Sequence, residues 1–212
     1  MTAAYTSFDT IPSALEAPLI RRTFLTVALV AAFAVPTPAL AADYALDVNH
    51  TQAEFVVTHL AISHVRGHIP LTSGTVSVGA NDMPAAINAT LDVKAIDTQS
   101  ADRDRDLRGP DWFDVEKFPS MTFVSKKIEG TPQSFTVTGD LTFHGVTKPV
   151  TMKGETVGKM TDARGRTHVG YSATTTIDRR QWGLNWGNTT PGGGLVAAYD
   201  VQVNLNVEAV AK

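Results

Sequence analysis

The chain has 212 residues, a formal net charge of -3 at pH 7, 43% hydrophobic residues and no cysteine. Its Lys and Arg residues are scattered among acids, so it lacks the basic face that a nucleic-acid partner requires. Without cysteine it has neither disulfides nor thiol chemistry, and it must fold on its core alone.

The first forty residues read as an export signal. Arg21 and Arg22 precede the apolar run TFLTVALVAAFAV, which ends in Pro36, Pro38 and the small-residue site Ala39–Ala41. That run is too short to cross a bilayer, which favours a cleaved signal over an anchor and places cleavage after Ala41. The stretch RRTFLT resembles the twin-arginine export pattern through Arg21, Arg22, Phe24 and Leu25, with Ile20 and Thr26 off pattern. An ordinary general-secretion signal shares this layout and stands beside it as an alternative. The chain therefore divides into a signal peptide over 1–41 and one domain over 42–212. The mature part has no transmembrane segment, is expected in the periplasm, and is expected as a monomer or homodimer.

From residue 44 onward the apolar residues recur at every second position, the period of a strand with one buried face. Phe55, Val57 and His59 share one side, as do Ile87, Ala89, Leu91 and Val93. Between them lie His59, His64 and His68, a candidate zinc or copper set; against it, His59 and His64 would face opposite sides of an extended strand. The segment DRDRDLRGPDWFD at 102–114 breaks the alternation and predicts a short helical connection near 99–117. Asp102, Asp104 and Asp106 copy the opening of a calcium loop, but Leu107 stands where that loop needs Gly and Phe113 where it needs an acid. Calcium is not expected. The charges are expected to form local ion pairs and caps beside a barrel mouth, with Trp112 and Phe113 turned inward.

Phe135 and Val137, then Tyr171, Ala173, Thr175 and Ile177, resume the alternation, with turn signals TGD and GVTKP between the segments. In the last segment Val201, Val203, Leu205 and Val207 alternate with polar residues, so one face is dry and the other wet. About eight such strands predict an all-β antiparallel eight-stranded lipocalin-like barrel able to hold one elongated ligand. A sandwich is the alternative, because alternation fixes the buried faces but not closure.

Several segments together resemble the YceI family of exported, polyisoprenoid-binding type β-barrels. Tyr44, Asp47, His50, Phe55, Val57, His59, Leu60 and Gly67 match its opening, and Arg103, Asp104, Leu107, Arg108, Asp111, Phe113, Asp114, Val115, Phe118 and Pro119 match its central signature. Residues 137–150 and the stretch IDRRQWGL extend the match, whereas Asp106 and Gly109 replace the usual His and Ser, and AYDV replaces an acidic start to the last strand. The resemblance implies a carrier or scavenger that encloses a long apolar molecule such as an isoprenoid, a quinone-like compound or a fatty amide, with no cofactor. Phe55, Val57, Leu91, Val93, Phe123, Phe143 and Ala173 are the candidate tunnel lining, His59 a candidate at the rim, and Trp112, Phe113, Trp182 and Trp186 candidates near the opening. Ordinary core packing is the competing account of each. An enzyme acting on an apolar substrate is a third reading with little support, since the chain has no G-x-S-x-G elbow and no H-E-x-x-H.

Overall fold

The computed structural model describes residues 41–212, so the expected export signal, apart from Ala41, lies outside the described residues. Ten strand segments follow in order: β1 (Ala42–Leu46), β2 (Gln52–His59), β3 (Ser63–His68), β4 (Leu71–Val78), β5 (Pro84–Asp92), β6 (Ser120–Thr131), β7 (Ser134–Phe143), β8 (Val146–Thr161), β9 (Thr167–Asp178) and β10 (Ala197–Ala211). Among the described residues a single α-helix, α1 (Ala101–Arg108), lies in the β5–β6 connection, inside the span where the sequence predicts one.

Every pairing is antiparallel, and the ladder runs β1-β4-β5-β6-β7-β8-β9-β10 before β10 pairs back to β1 through Tyr44 and Ala211. The sheet is therefore a closed barrel with eight strand positions. The two extra segments arise because two of those positions are broken. Asp47 Oδ1 accepts the Asn49 and His50 N–H groups at 2.8 and 3.3 Å, a local turn that separates β1 from β2. The 15-residue β10 spans both halves, pairing β1 at its end and β2 along its first part. Between β3 and β4 stands Pro70, which has no N–H to give a ladder.

The β4–β5, β6–β7 and β8–β9 hairpins and the β1–β10 seam meet at one end of the barrel. That end is filled: Tyr44, Val76, Val78, Phe135, Val169, Tyr171 and Ala209 are all buried. The Tyr171 hydroxyl donates to the Asp82 carbonyl at 3.0 Å, and burial pushes this phenol above its ordinary range. The opposite end carries the β2–β3 and β7–β8 hairpins, the segment 93–119 with α1, and the loop 179–196. Val93, Val115, Phe143, Trp182 and Leu184, on or beside those connections, are also buried and belong to the same core. Trp182 is 1% exposed, and its indole N–H donates to the Leu141 carbonyl at 3.1 Å.

Three glycines shape the wall between the ends. A side chain on Gly67, Gly139 or Gly154 would meet the ring of Phe55, Phe123 or Phe135 at 2.5 Å. Gly67 and Phe55 are register partners, as are Gly154 and Phe135, so in these pairs both residues face the same side. The rings thus lie over bare backbone on the inner face instead of projecting across the lumen.

Candidate ligand cavity

Inside the barrel lies a cavity of about 550 Å³, within the usual range of small-molecule sites. Its walls come from the inward positions of β2, β5, β6, β7, β9 and β10, where alternation puts every second side chain on the dry face. Phe55, Val57, Ile87, Ala89, Leu91, Ala173, Ile177, Val201, Val203 and Leu205 all line it, yet each keeps partial exposure. Apolar side chains that face inward and remain accessible border empty space, whereas a packed core would cover them.

Of the sequence-predicted residues, Phe55, Val57, His59, Leu91, Trp112, Phe113, Phe123, Phe143, Ala173, Trp182 and Trp186 all border this cavity. Val93 does not: it is 0% exposed and belongs to the packed core. The alternation stops one residue earlier, because the Asp92 carboxylate accepts the Lys94 N–H at 2.9 Å and turns the chain into a short 3-10 segment.

At the mouth the aromatic residues interlock. Trp112 and Trp186 lie 4.5 Å apart between ring centroids, and Phe113 meets Phe143 edge-on at 5.1 Å. Arg179, whose identity alone gave no hint of a site role, organises this group. Its guanidinium donates to the carbonyls of Leu184, Trp186, Ala197 and Ala198, with the Trp186 bond at 2.5 Å. It also lies 5.7 Å from the Trp112 ring centroid and 4.9 Å from that of Tyr199. No carboxylate bonds it among the described residues, and burial lowers its pKa. Arg180 instead pairs with Asp178 and holds that carboxyl below its usual range.

The charged stretch 102–108 resolves into unequal parts. Asp104 is buried, and one of its oxygens accepts both the Thr98 N–H at 2.9 Å and the Thr98 hydroxyl at 2.5 Å. Arg103 donates to the Thr98 hydroxyl and carbonyl, and Arg108 donates to the carbonyls of Lys94 and Ile96, both at 2.7 Å. Only Arg105 makes the expected short carboxylate pair, with Asp102 at 2.8 Å. Ser100 precedes the helix without a side-chain capping bond. The expectation of local ion pairs and caps is thus corrected: most of these arginines bind backbone carbonyls and tie α1 to the preceding turn. Thr98, Arg103, Asp106 and Leu107 then border the cavity, four residues that alternation could not flag because they lie outside any strand.

The three histidines separate. In the β2–β3 hairpin His59 pairs with Ser63 and Thr58 with His64, which leaves His59 on the cavity side and His64 and His68 exposed on the other. The reading of a common metal set is corrected accordingly, since side chains on opposite faces of a ladder cannot converge. Among the described residues the one triad with ligating atoms within 4.8 Å is Asp47, His50 and Glu208, away from the cavity.

Comparison with known proteins agrees with this architecture. The family model described as YceI-like domain matches residues 44–209. A UPF0312 protein of Vibrio vulnificus is 33% identical over 197 residues, covering 91% of this chain and 100% of its own. A UPF0312 protein of Pseudomonas aeruginosa is 30% identical over 195 residues, with 91% and 99% covered. Among solved structures, the YCEI protein of Campylobacter jejuni superposes with a TM-score of 0.63 at 28% identity, over 73% of this chain and 90% of that one. A polyisoprenoid binding domain from Saccharophagus degradans shares the fold, with a TM-score of 0.57 at 17% identity over 82% of this chain and 99% of that one. No helix among the described residues is long and apolar enough to cross a membrane.

Proposed function

The chain belongs to the YceI-like family, and from that premise we propose that it is an exported binding protein whose barrel encloses one long apolar molecule. The ligand class is an isoprenoid, a quinone-like compound or a fatty amide, held in the periplasm for transport, storage or sequestration. The observation that carries this reading is the inner face: Phe55, Val57, Ala89, Leu91, Ala173 and Leu205 border the cavity with apolar surface still accessible. Each methylene of a chain-like ligand placed there gains about 0.8 kcal/mol on leaving water, before ordering costs. Such a ligand needs no directional partner along its length. His59, Thr98, Arg103 and Asp106 offer polar groups to its head at the rim.

Organic extraction of the purified protein, followed by mass spectrometry, tests the reading. One apolar chain-like species at near-stoichiometric yield is expected. Empty extracts, together with no uptake of isoprenoid or fatty-amide probes at micromolar concentration, overturn it. The walls of the cavity are overwhelmingly apolar, which favours enclosure of an apolar chain over chemistry on it.

A further inference from the structure

Outside the cavity, one group of side chains has the composition and spacing of a cation site. Asp47, His50 and Glu208 each present a carboxylate oxygen or a ring nitrogen, and these atoms all lie within 4.8 Å of one another. Asp47 Oδ2 and His50 Nδ1 are 3.0 Å apart. Bonds of about 2.0 to 2.1 Å in a tetrahedral zinc site put neighbouring ligand atoms about 3.3 Å from each other, so this pair needs little movement to share a cation. The imidazole also narrows the choice of ion. Calcium and magnesium take oxygen ligands, whereas zinc accepts nitrogen and oxygen together.

The fold assembles the three where a strand position is interrupted. Asp47 and His50 stand on the turn that separates β1 from β2, and Glu208 stands on β10. In a continuous strand, residues at positions i and i+3 would point to opposite faces, so the break is what lets Asp47 and His50 both meet Glu208. The backbone fixes the approach: the Asp47 N–H donates to the Glu208 carbonyl at 2.8 Å, and the Glu208 N–H donates to the Thr51 hydroxyl at 3.2 Å. Neither carboxylate has a Lys or Arg partner among the described residues. Asp47 pairs with His50, and one Glu208 oxygen lies 2.8 Å from His168 Nδ1, while its other oxygen makes no hydrogen bond among those residues. The His168 ring is fixed in turn by Asp162 at 3.2 Å, the arrangement by which outer partners orient a metal-binding carboxylate. A surface concavity bordered by His50, His168 and Glu208 gives a hydrated ion access from solvent.

We propose that Asp47, His50 and Glu208 bind one zinc ion on the outer wall of the barrel, with water in the fourth position. The ion joins the turn after the first strand to the last strand, beside the seam that closes the barrel, in a chain that has no disulfide. Its role is structural, and it is independent of what the cavity encloses.

Untagged protein stripped with a chelator is titrated with zinc chloride in a calorimeter, and its Tm is measured in zinc, in calcium and in neither. One zinc per chain is expected at micromolar concentration, with Tm raised by about 5 to 10 °C at a hundredfold excess over the dissociation constant and unchanged by calcium. His50→Gln and Glu208→Gln are each expected to weaken zinc binding at least about tenfold and to remove the rise in Tm. The His50 side chain is 65% exposed, so its replacement leaves the fold intact, which circular dichroism of the zinc-free variant checks. Replacing His64 and His68 together by Ala, which removes the exposed histidines of the β2–β3 hairpin, is expected to leave binding as in the unmodified protein. Absence of zinc binding, binding that survives in His50→Gln, or binding lost with His64 and His68 overturns the proposal; so does an equal rise in Tm with calcium.

Discussion

Three aspartates at alternate positions, Asp102, Asp104 and Asp106, look equivalent in the sequence, and replacing each by Ala measures how unequal the fold makes them. Asp104 is buried and accepts two bonds from a Thr98 that is itself 3% exposed. Hydrogen bonds to a charged group contribute about 1.5 to 3 kcal/mol each, and a buried donor left without a partner adds its own desolvation cost. The Arg103 contact to the Thr98 hydroxyl, at 2.8 Å, survives and offsets part of the loss. Asp104→Ala is therefore expected to cost about 3 kcal/mol, which for a domain of this size lowers Tm by about 6 to 12 °C. Asp104→Asn keeps an uncharged acceptor and should cost about 1 kcal/mol. Asp102→Ala removes only an exposed pair with Arg105 and should change stability by less than about 1 kcal/mol. Thermal unfolding followed by far-ultraviolet circular dichroism reads all three. Equal Tm values for the Asp102 and Asp104 variants would refute the assignment of Asp104 as the bond that pins α1.

Ala173→Trp should fill the middle of the cavity and abolish fatty-amide uptake while costing about 1 to 3 kcal/mol of stability; retained uptake would mean that the ligand lies elsewhere. Gly67→Ala should drive the Phe55 ring off the wall into the lumen and weaken uptake of the longest probes first, whereas equal affinity across chain lengths would show that the ring was never held aside. His168 donates between Glu208 and Asp162, and those two carboxylates, Glu208 foremost, raise its pKa above 6.5. Its contribution to stability is thus fully present below about pH 6.5 and lost as pH rises through the raised folded value. Urea midpoints of the protein and of His168→Gln should differ most in mild acid and converge in alkali; a pH-independent gap would contradict this. Arg179→Met should free the 184–198 loop from its carbonyl contacts, visible as faster proteolysis there, while Arg180→Met, which removes only the Asp178 pair and its contact with the Tyr199 ring, should not.

Where a strand has one dry face, the sequence spells it out. Val201, Val203, Leu205 and Val207 alternate with polar residues and line the lumen, and Tyr171, Ala173, Thr175 and Ile177 do the same on the neighbouring strand. The rule fails where a local side-chain bond redirects the backbone. Asp92 ends β5 one residue before Val93, and Asp47 breaks what would otherwise be one continuous strand into β1 and β2. The rim was harder to read for a different reason. Arg179 owes its role to four backbone carbonyls, and carbonyls carry no sequence signature. The same holds for Arg103 and Arg108, whose charges suggest carboxylate partners but which bind the turn before α1.

The seam that closes the barrel joins β1 to β10, the first strand of the domain to its last, with Tyr44 opposite Ala211. A ring closed in this way cannot form until β10 has left the ribosome, because β1 has no partner on that side before then. Loop closure over so long a stretch must also precede most of the contacts that reward it, so folding is expected to be slow for a domain of this length. The nascent barrel thus remains open until β10 is available and for some time after. If the chain is exported as proposed, that delay keeps a general-secretion route available, since a thread can pass where a finished barrel cannot.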